Sequence, residues 1–102
     1  MTTREILIAA RALIAAPEGW TQGEYARDAD GCAVDPDNPD AVCFCALGAI
    51  ERACERGIDG DEAIQAIQRI VGLVAGFNDT HTHAAVVAMF DEAIARLDRG
   101  EV

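Results

Sequence analysis

Apolar residues in this chain fall into four helical patterns, interrupted after the first by a long stretch of turn residues. Ile6, Leu7, Ala10, Leu13 and Ile14 recur at i, i+1, i+4, i+7 and i+8, which places them on one face of a helix. Thr2 followed by Glu5 fits a capping box at its start. Pro17 and Gly19 end it, since proline cannot donate the next helical hydrogen bond and glycine frees the turn. Residues 41–50 carry no charge, so this segment is apolar all round and predicts a buried central helix that needs neighbours on every side. Asn38-Pro39 reads as its N-cap and first turn, and Gly57 as its stop. Gly48, with Ala46 and Ala49 beside it, offers a surface poor in side chains where another backbone can come close.

Counting 100° per residue from Pro39 puts Cys43, Leu47, Ile50 and Cys54 on one stripe of that helix. Cys45 falls on the opposite side with Ala49, Arg52 and Arg56, in the second turn. Asp59-Gly60-Asp61 turns the chain into a third helix capped by Asp61, with Ile64, Ile67, Val71 and Val74 on its apolar face and Gly76 at its end. Residues 77–83 form a polar loop holding both histidines, and Thr82 caps a last helix whose face is Val86, Phe90, Ala93, Ile94 and Leu97. Between Trp20 and Asp40 two brief strands fit, Tyr25-Ala26-Arg27 and Cys32-Ala33-Val34 around the Asp30-Gly31 turn. An ordered loop pinned by Trp20 and Tyr25 fits as well. The expected fold is therefore mostly α: one domain over residues 1–102, four helices, and a short β-hairpin or ordered loop between the first and second.

Composition narrows the partners. Eighteen acidic residues stand against eight Arg and no Lys, a formal charge of −10 that repels phosphate backbones and anionic lipids. Direct nucleic-acid and membrane binding are thus disfavoured. Glu5 and Arg11 break the N-terminal apolar run, so it does not read as a signal peptide. Four cysteines without such a signal point to a reducing, cytoplasmic setting where thiols stay free.

Three sets of residues could carry chemistry. Cys45 with His81 or His83 as base and Asn78 or Asp79 as orienting group has the residue types of a cysteine nucleophile site. The plainer reading is a buried thiol beside Gly48, because in a second turn the helix dipole no longer stabilises a thiolate. Cys32, Cys45, His81 and His83 could be assembled into a zinc set. No Cys-x-x-Cys pair is present, however, and Cys43 and Cys45 would point to opposite sides of a helix, so no metal and no cofactor is expected. Asp59-Gly60-Asp61-Glu62 lacks the remaining ligands of a calcium loop. Asn78-Asp79 serves as ordinary loop closure through Asx-type bonds, or as part of a binding loop.

The succession Trp20-Thr-Gln-Gly-Glu-Tyr-Ala-Arg-Asp, Cys45-Ala-Leu-Gly-Ala-Ile, Phe77-Asn-Asp and Thr82-His-Ala-Ala-Val with Asp91-Glu-Ala-Ile resembles a family of small bacterial and phage proteins known as a domain of unknown function. The resemblance spans nearly the whole chain. Its most specific parts are the blocks at Cys45 to Ala49 and Phe77 to Asp79. Members often carry Trp where Phe77 stands and Glu where Ala85 stands, which leaves the capping box after Thr82 incomplete here. The resemblance implies a fold and no assigned chemistry. The expected function is a small acidic interaction module that binds a protein partner, a basic one by charge, through Trp20, Asn78, Asp79, Thr80 and His81. It could act as an inhibitor that imitates nucleic-acid phosphates. The rival class is a small Cys-His enzyme using Cys45 with His81 or His83.

Overall fold

The computed structural model describes residues 1–54 and 60–100. Helix α1 (Thr3–Leu13) opens on the expected capping box, with Thr2 Oγ1 accepting from the Glu5 amide at 3.1 Å and the Glu5 carboxylate accepting back from Thr2. A 3₁₀ turn (Pro17–Gly19) leads to strands β1 (Ala26–Arg27), β2 (Ala33–Val34) and β3 (Cys43–Phe44). Helices α2 (Ala46–Ala53), α3 (Asp61–Val71), α4 (Val74–Thr80) and α5 (His83–Asp98) complete the described chain. The molecule is mostly helical, as the apolar spacing implies, with a small antiparallel sheet in the order β2-β1-β3. Leu7, Ile14, Ile50, Ile67, Val86 and Phe90 are its largest fully buried apolar side chains. Helix α1 lies against α2 and α5, and α3 closes the remaining side. Burying each such side chain contributes about 1.5–3 kcal/mol, so this helical half holds most of the stability.

The hairpin is present, shorter than drawn from sequence and joined by a third strand. Ala26 pairs with Val34 on one side and with Phe44 on the other. Asp28 organises its tip, with Oδ1 accepting from the amides of Asp30 and Cys32.

Three boundaries differ from the sequence reading. The central helix does not begin near Pro39. Asn38 closes a turn, its Oδ1 accepting from the Asp40 amide at 2.8 Å, and residues 42–44 extend along β1, where the Val42 amide donates to Arg27 O. The helix starts at Ala46 with Cys45 as its N-cap. Cys43 therefore leaves the helical stripe for a strand, Ile50 is fully buried, and Leu47 and Cys54 are partly covered. A short apolar run suits a buried strand as well as a buried helix, and here pairing with β1 decides. Gly48 keeps its expected role: a Cβ there would lie 1.9 Å from the Tyr25 carbonyl oxygen.

The second difference makes five α-helices among the described residues where four were expected. The third helix breaks at Gly72, whose φ of +78° a side-chain-bearing residue seldom adopts, and the chain restarts as α4. Val74, which continues the apolar spacing of the helix before it, is buried from α4 instead. Gly60, not Asp61, is the N-cap of α3, and Asp61 sits in its first turn. The third difference follows from the second. Residues 77–80 are helical, so the expected polar loop shrinks to His81 and Thr82, and Thr82 caps α5 through the Ala85 amide. The stop at Gly57 and the turn at Asp59 lie outside the described residues.

Candidate binding pocket

Asn78 is the centre from which the site is built. It is wholly buried, and all four hydrogen-bonding positions of its side-chain amide are filled. Oδ1 accepts from Trp20 Nε1 at 2.8 Å and from the Ala46 amide at 3.0 Å; Nδ2 donates to Thr21 O and to Asp79 Oδ1, both at 3.0 Å. One side chain on α4 thus ties down the segment before the hairpin and satisfies an orphan amide at the start of α2. Gln22 of that segment adds two bonds to the main chain of α4 and its C-cap, its Nε2 donating to Asn78 O and His81 O. Local Asx-type loop closure, the plainer expectation for Asn78-Asp79, is not what forms: both residues lie in α4 and their side chains bond main-chain groups far away in sequence.

Around this joint the three segments leave a cavity of about 170 Å³, lined by Gly23, Glu24 and Tyr25, by Cys45 and Leu47 of the α2 start, and by Ala75 and Asp79 of α4. Asp79 Oδ1 also accepts from the Gly23 amide at 3.0 Å, which fixes the carboxylate at the pocket edge. Tyr25 is half exposed on the opposite wall.

Cys45 faces this cavity from the N-cap position, its Sγ accepting from the Gly48 amide at 3.3 Å. Its placement overturns the second-turn argument, because the N-cap is where the dipole acts most strongly. Even so, burial pushes the thiol above the ordinary cysteine range. Bonds from the Gly48 and Leu47 amides oppose that shift, while the charges of Asp79 and Glu51 add to it.

The histidines are placed elsewhere. His81 stacks on Phe77 with ring centroids 3.8 Å apart, and its Nδ1 lies 3.0 Å from Phe77 O. His83 Nε2 lies 2.6 Å from Ile14 O, and the ring leans on Trp20. A ring nitrogen that faces a carbonyl oxygen in this way carries the proton, which leaves the other nitrogen of each ring as its acceptor. The lining, among the described residues, contains neither histidine. Of the residues named from sequence, Cys45 and Asp79 share the pocket. Trp20 and Asn78 build the frame behind it, and Thr80 turns back to Gly76 O at 2.7 Å. Cys32 is exposed at the hairpin, distant in role from buried Cys45. Among the described residues no group of three His, Cys, Asp or Glu side chains is arranged to hold a metal ion, and no helix is long and apolar enough to cross a membrane.

Sequence reasoning missed Gly23, Glu24, Tyr25, Leu47 and Ala75 as lining. The one signal for them was Tyr25 itself, an aromatic residue set among polar and turn residues with no apolar periodicity to bury it.

The charge is unevenly offset. Between described residues the ion pairs join α1 to α5 or run along the end of α5: Arg4 with Asp98, Arg11 with Asp91, and Arg96 and Arg99 with Glu92. Residues 17–54 carry eight carboxylates and two arginines. Both of these guanidinium groups donate to carbonyl oxygens, Arg27 to Gly31 and Gln22, and Arg52 to Pro36 and Asn38. The hairpin half therefore stays strongly negative.

No curated protein and no solved structure matches the chain. A family model does match, over residues 1–96, and the protein belongs to that family, the family of unknown function DUF6197.

Proposed function

We propose that this protein is a binding module that receives a basic protein partner on its hairpin half, with the pocket between Tyr25, Cys45 and Asp79 as the anchoring point. The observation that carries this reading is the pocket itself, a concavity held open by a saturated buried amide beside the hairpin segment, whose carboxylates have no arginine ion pair among the described residues. Apolar surface for a partner is also present: Tyr25 is 50% exposed and Leu73, at the head of α4, is 80% exposed. The carboxylates at Asp28, Asp30, Asp35, Asp37 and Asp40 would steer a basic surface and raise its association rate more than its final affinity. A protein whose own ligand is a nucleic acid offers such a surface, which is how the acidic face would act as a phosphate imitator. The Cys-His enzyme has less support, since the thiol is raised and neither histidine is in the lining of the pocket that Cys45 faces.

The test fills the pocket. Ala75→Trp, on the exposed side of α4, should abolish a partner retained by the wild-type protein from its native host. The charge reversals Asp35→Lys and Asp37→Lys should slow the association of that partner and flatten its salt dependence. A partner retained equally by Ala75→Trp would remove the pocket from the interface.

A further inference from the structure

We infer that the pocket takes a single arginine side chain of the partner, an assignment that rests on the binding-module reading above. Size comes first. About 170 Å³ is below the roughly 300–1,000 Å³ of sites that hold cofactors and drug-sized ligands, and suits one long side chain. The chemistry of the walls then selects among side chains. Leu47, Ala75 and Tyr25 give the lining residues that can flank an aliphatic stem, while Asp79 and Glu24 bring two acidic residues to the same lining.

Several main-chain donors around the site are already committed. The Gly23 amide goes to Asp79, the Ala46 amide to Asn78 and the Gly48 amide to Cys45. An anion would meet two carboxylates with those amides already committed, so the occupant is a cation. Asp79 is prepared for it in one particular way. Oδ1 holds both intramolecular bonds, from Gly23 and from Asn78, which leaves Oδ2 as an acceptor at a fixed position. A guanidinium carries five donors in a rigid plane, so it can reach Asp79 Oδ2 and the separate Glu24 carboxylate together while its face lies on the Tyr25 ring. An ammonium is a point charge that gains less from divided acceptors and an aromatic wall.

The experiment follows backbone amide shifts on the full chain during titration with N-acetyl-arginine amide. Saturable shifts should centre on Gly23, Tyr25, Cys45, Leu47, Ala75 and Asp79. N-acetyl-citrulline amide, nearly the same shape without the charge, should bind at least tenfold more weakly. N-acetyl-lysine amide should fall between the two. Free arginine should bind more weakly than its blocked amide, because its own carboxylate would face Asp79 and Glu24. That result identifies a side chain within a protein as the occupant. Asp79→Asn retains the Oδ1 acceptor for Gly23 and Asn78 while removing the charge, and should weaken the arginine probe about fivefold with amide shifts elsewhere unchanged. Equal binding of citrulline and arginine, tighter binding of lysine, or shifts spread over Asp28 to Asp40 with the pocket amides unmoved would overturn the assignment. The two levels separate cleanly. Loss of partner capture by Ala75→Trp together with unmoved pocket amides refutes arginine and leaves the module standing, whereas retained capture removes the pocket from the interface whatever the arginine probe does.

Discussion

Gly48→Ala adds one methyl group at the point where α2 meets the hairpin, and the geometry allows its effect to be worked through. The new Cβ would sit 1.9 Å from Tyr25 O and 2.8 Å from the Tyr25 carbonyl carbon, both of them main-chain atoms that no rotamer change can clear. Ordinary non-bonded separations of about 3.5 Å require the strand to retreat by roughly 1.5 Å. The Cys45 amide now donates to that same Tyr25 oxygen at 3.1 Å, and such a retreat breaks the bond and orphans a buried donor. Overpacking costs about 1–3 kcal/mol and the orphaned amide about 1–3 kcal/mol. The better helix propensity of alanine returns about 1 kcal/mol. The net expectation is a loss of about 1–5 kcal/mol by urea denaturation, read from the fluorescence of the sole tryptophan, Trp20. Gly76→Ala is the control: its nearest neighbour is Leu73 Cβ at 3.8 Å, so it should be neutral or stabilising by about 0.5–1 kcal/mol. A Gly48→Ala protein within about 0.5 kcal/mol of wild type would refute the close approach.

Asn78→Ala should cost about 3–5 kcal/mol in the same assay, since it strands Trp20 Nε1, the Ala46 amide and Thr21 O together; a loss below about 1 kcal/mol would show that the amide is not the joint. Cys45→Ser keeps a side-chain acceptor at the N-cap and should stay within about 1 kcal/mol of wild type, with Cys45→Ala worse by about 1 kcal/mol. In the native protein, mass spectrometry after timed alkylation should find Cys32 modified well before Cys45, and fast labelling of Cys45 near neutral pH would contradict its raised pKa. Because the folded thiol lies above its unfolded value, the stability linked to it is complete below the unfolded pKa and is lost as pH rises through the folded one. Arg52→Ala removes the bonds to Pro36 O and Asn38 O and the cover over Phe44, and should cost about 1–2 kcal/mol while making residues 35–40 the first site of limited proteolysis.

How far the chain could be read depended on the range of the interactions involved. Helices α1 and α5 were legible because Thr2 with Glu5, Thr82, and apolar residues at helical spacing are all local signals. Gly48 announced a close approach, but its partner, the Tyr25 carbonyl, lies 23 positions away and leaves no mark in the local pattern. Residues 43–44 were misplaced for the same reason: pairing with Ala26 and Arg27 makes them a strand, and nothing local distinguishes that outcome from a buried helix. Gly72 was visible as a glycine, yet Val74 falls where the previous helix would want an apolar residue, so the spacing bridged a break that the backbone makes. At the site, residue type singled out Cys45 and Asp79, which the structure places in one lining. Leu47 enters the lining through tertiary placement alone, and Tyr25 was marked only by being aromatic among polar and turn residues.

The saturated amide of Asn78 also has a consequence for how the pocket must behave toward a ligand. Its four bonds fix the very segments that supply the walls, so adjusting the cavity to a different shape means breaking a buried hydrogen bond rather than turning a surface rotamer. Such a receptor is preorganised: little ordering entropy remains to be lost on association, and affinity is set by how well the incoming group already matches. It should therefore tolerate variation in a partner's outer contacts, which meet exposed and adjustable residues, and tolerate almost none in the group that enters.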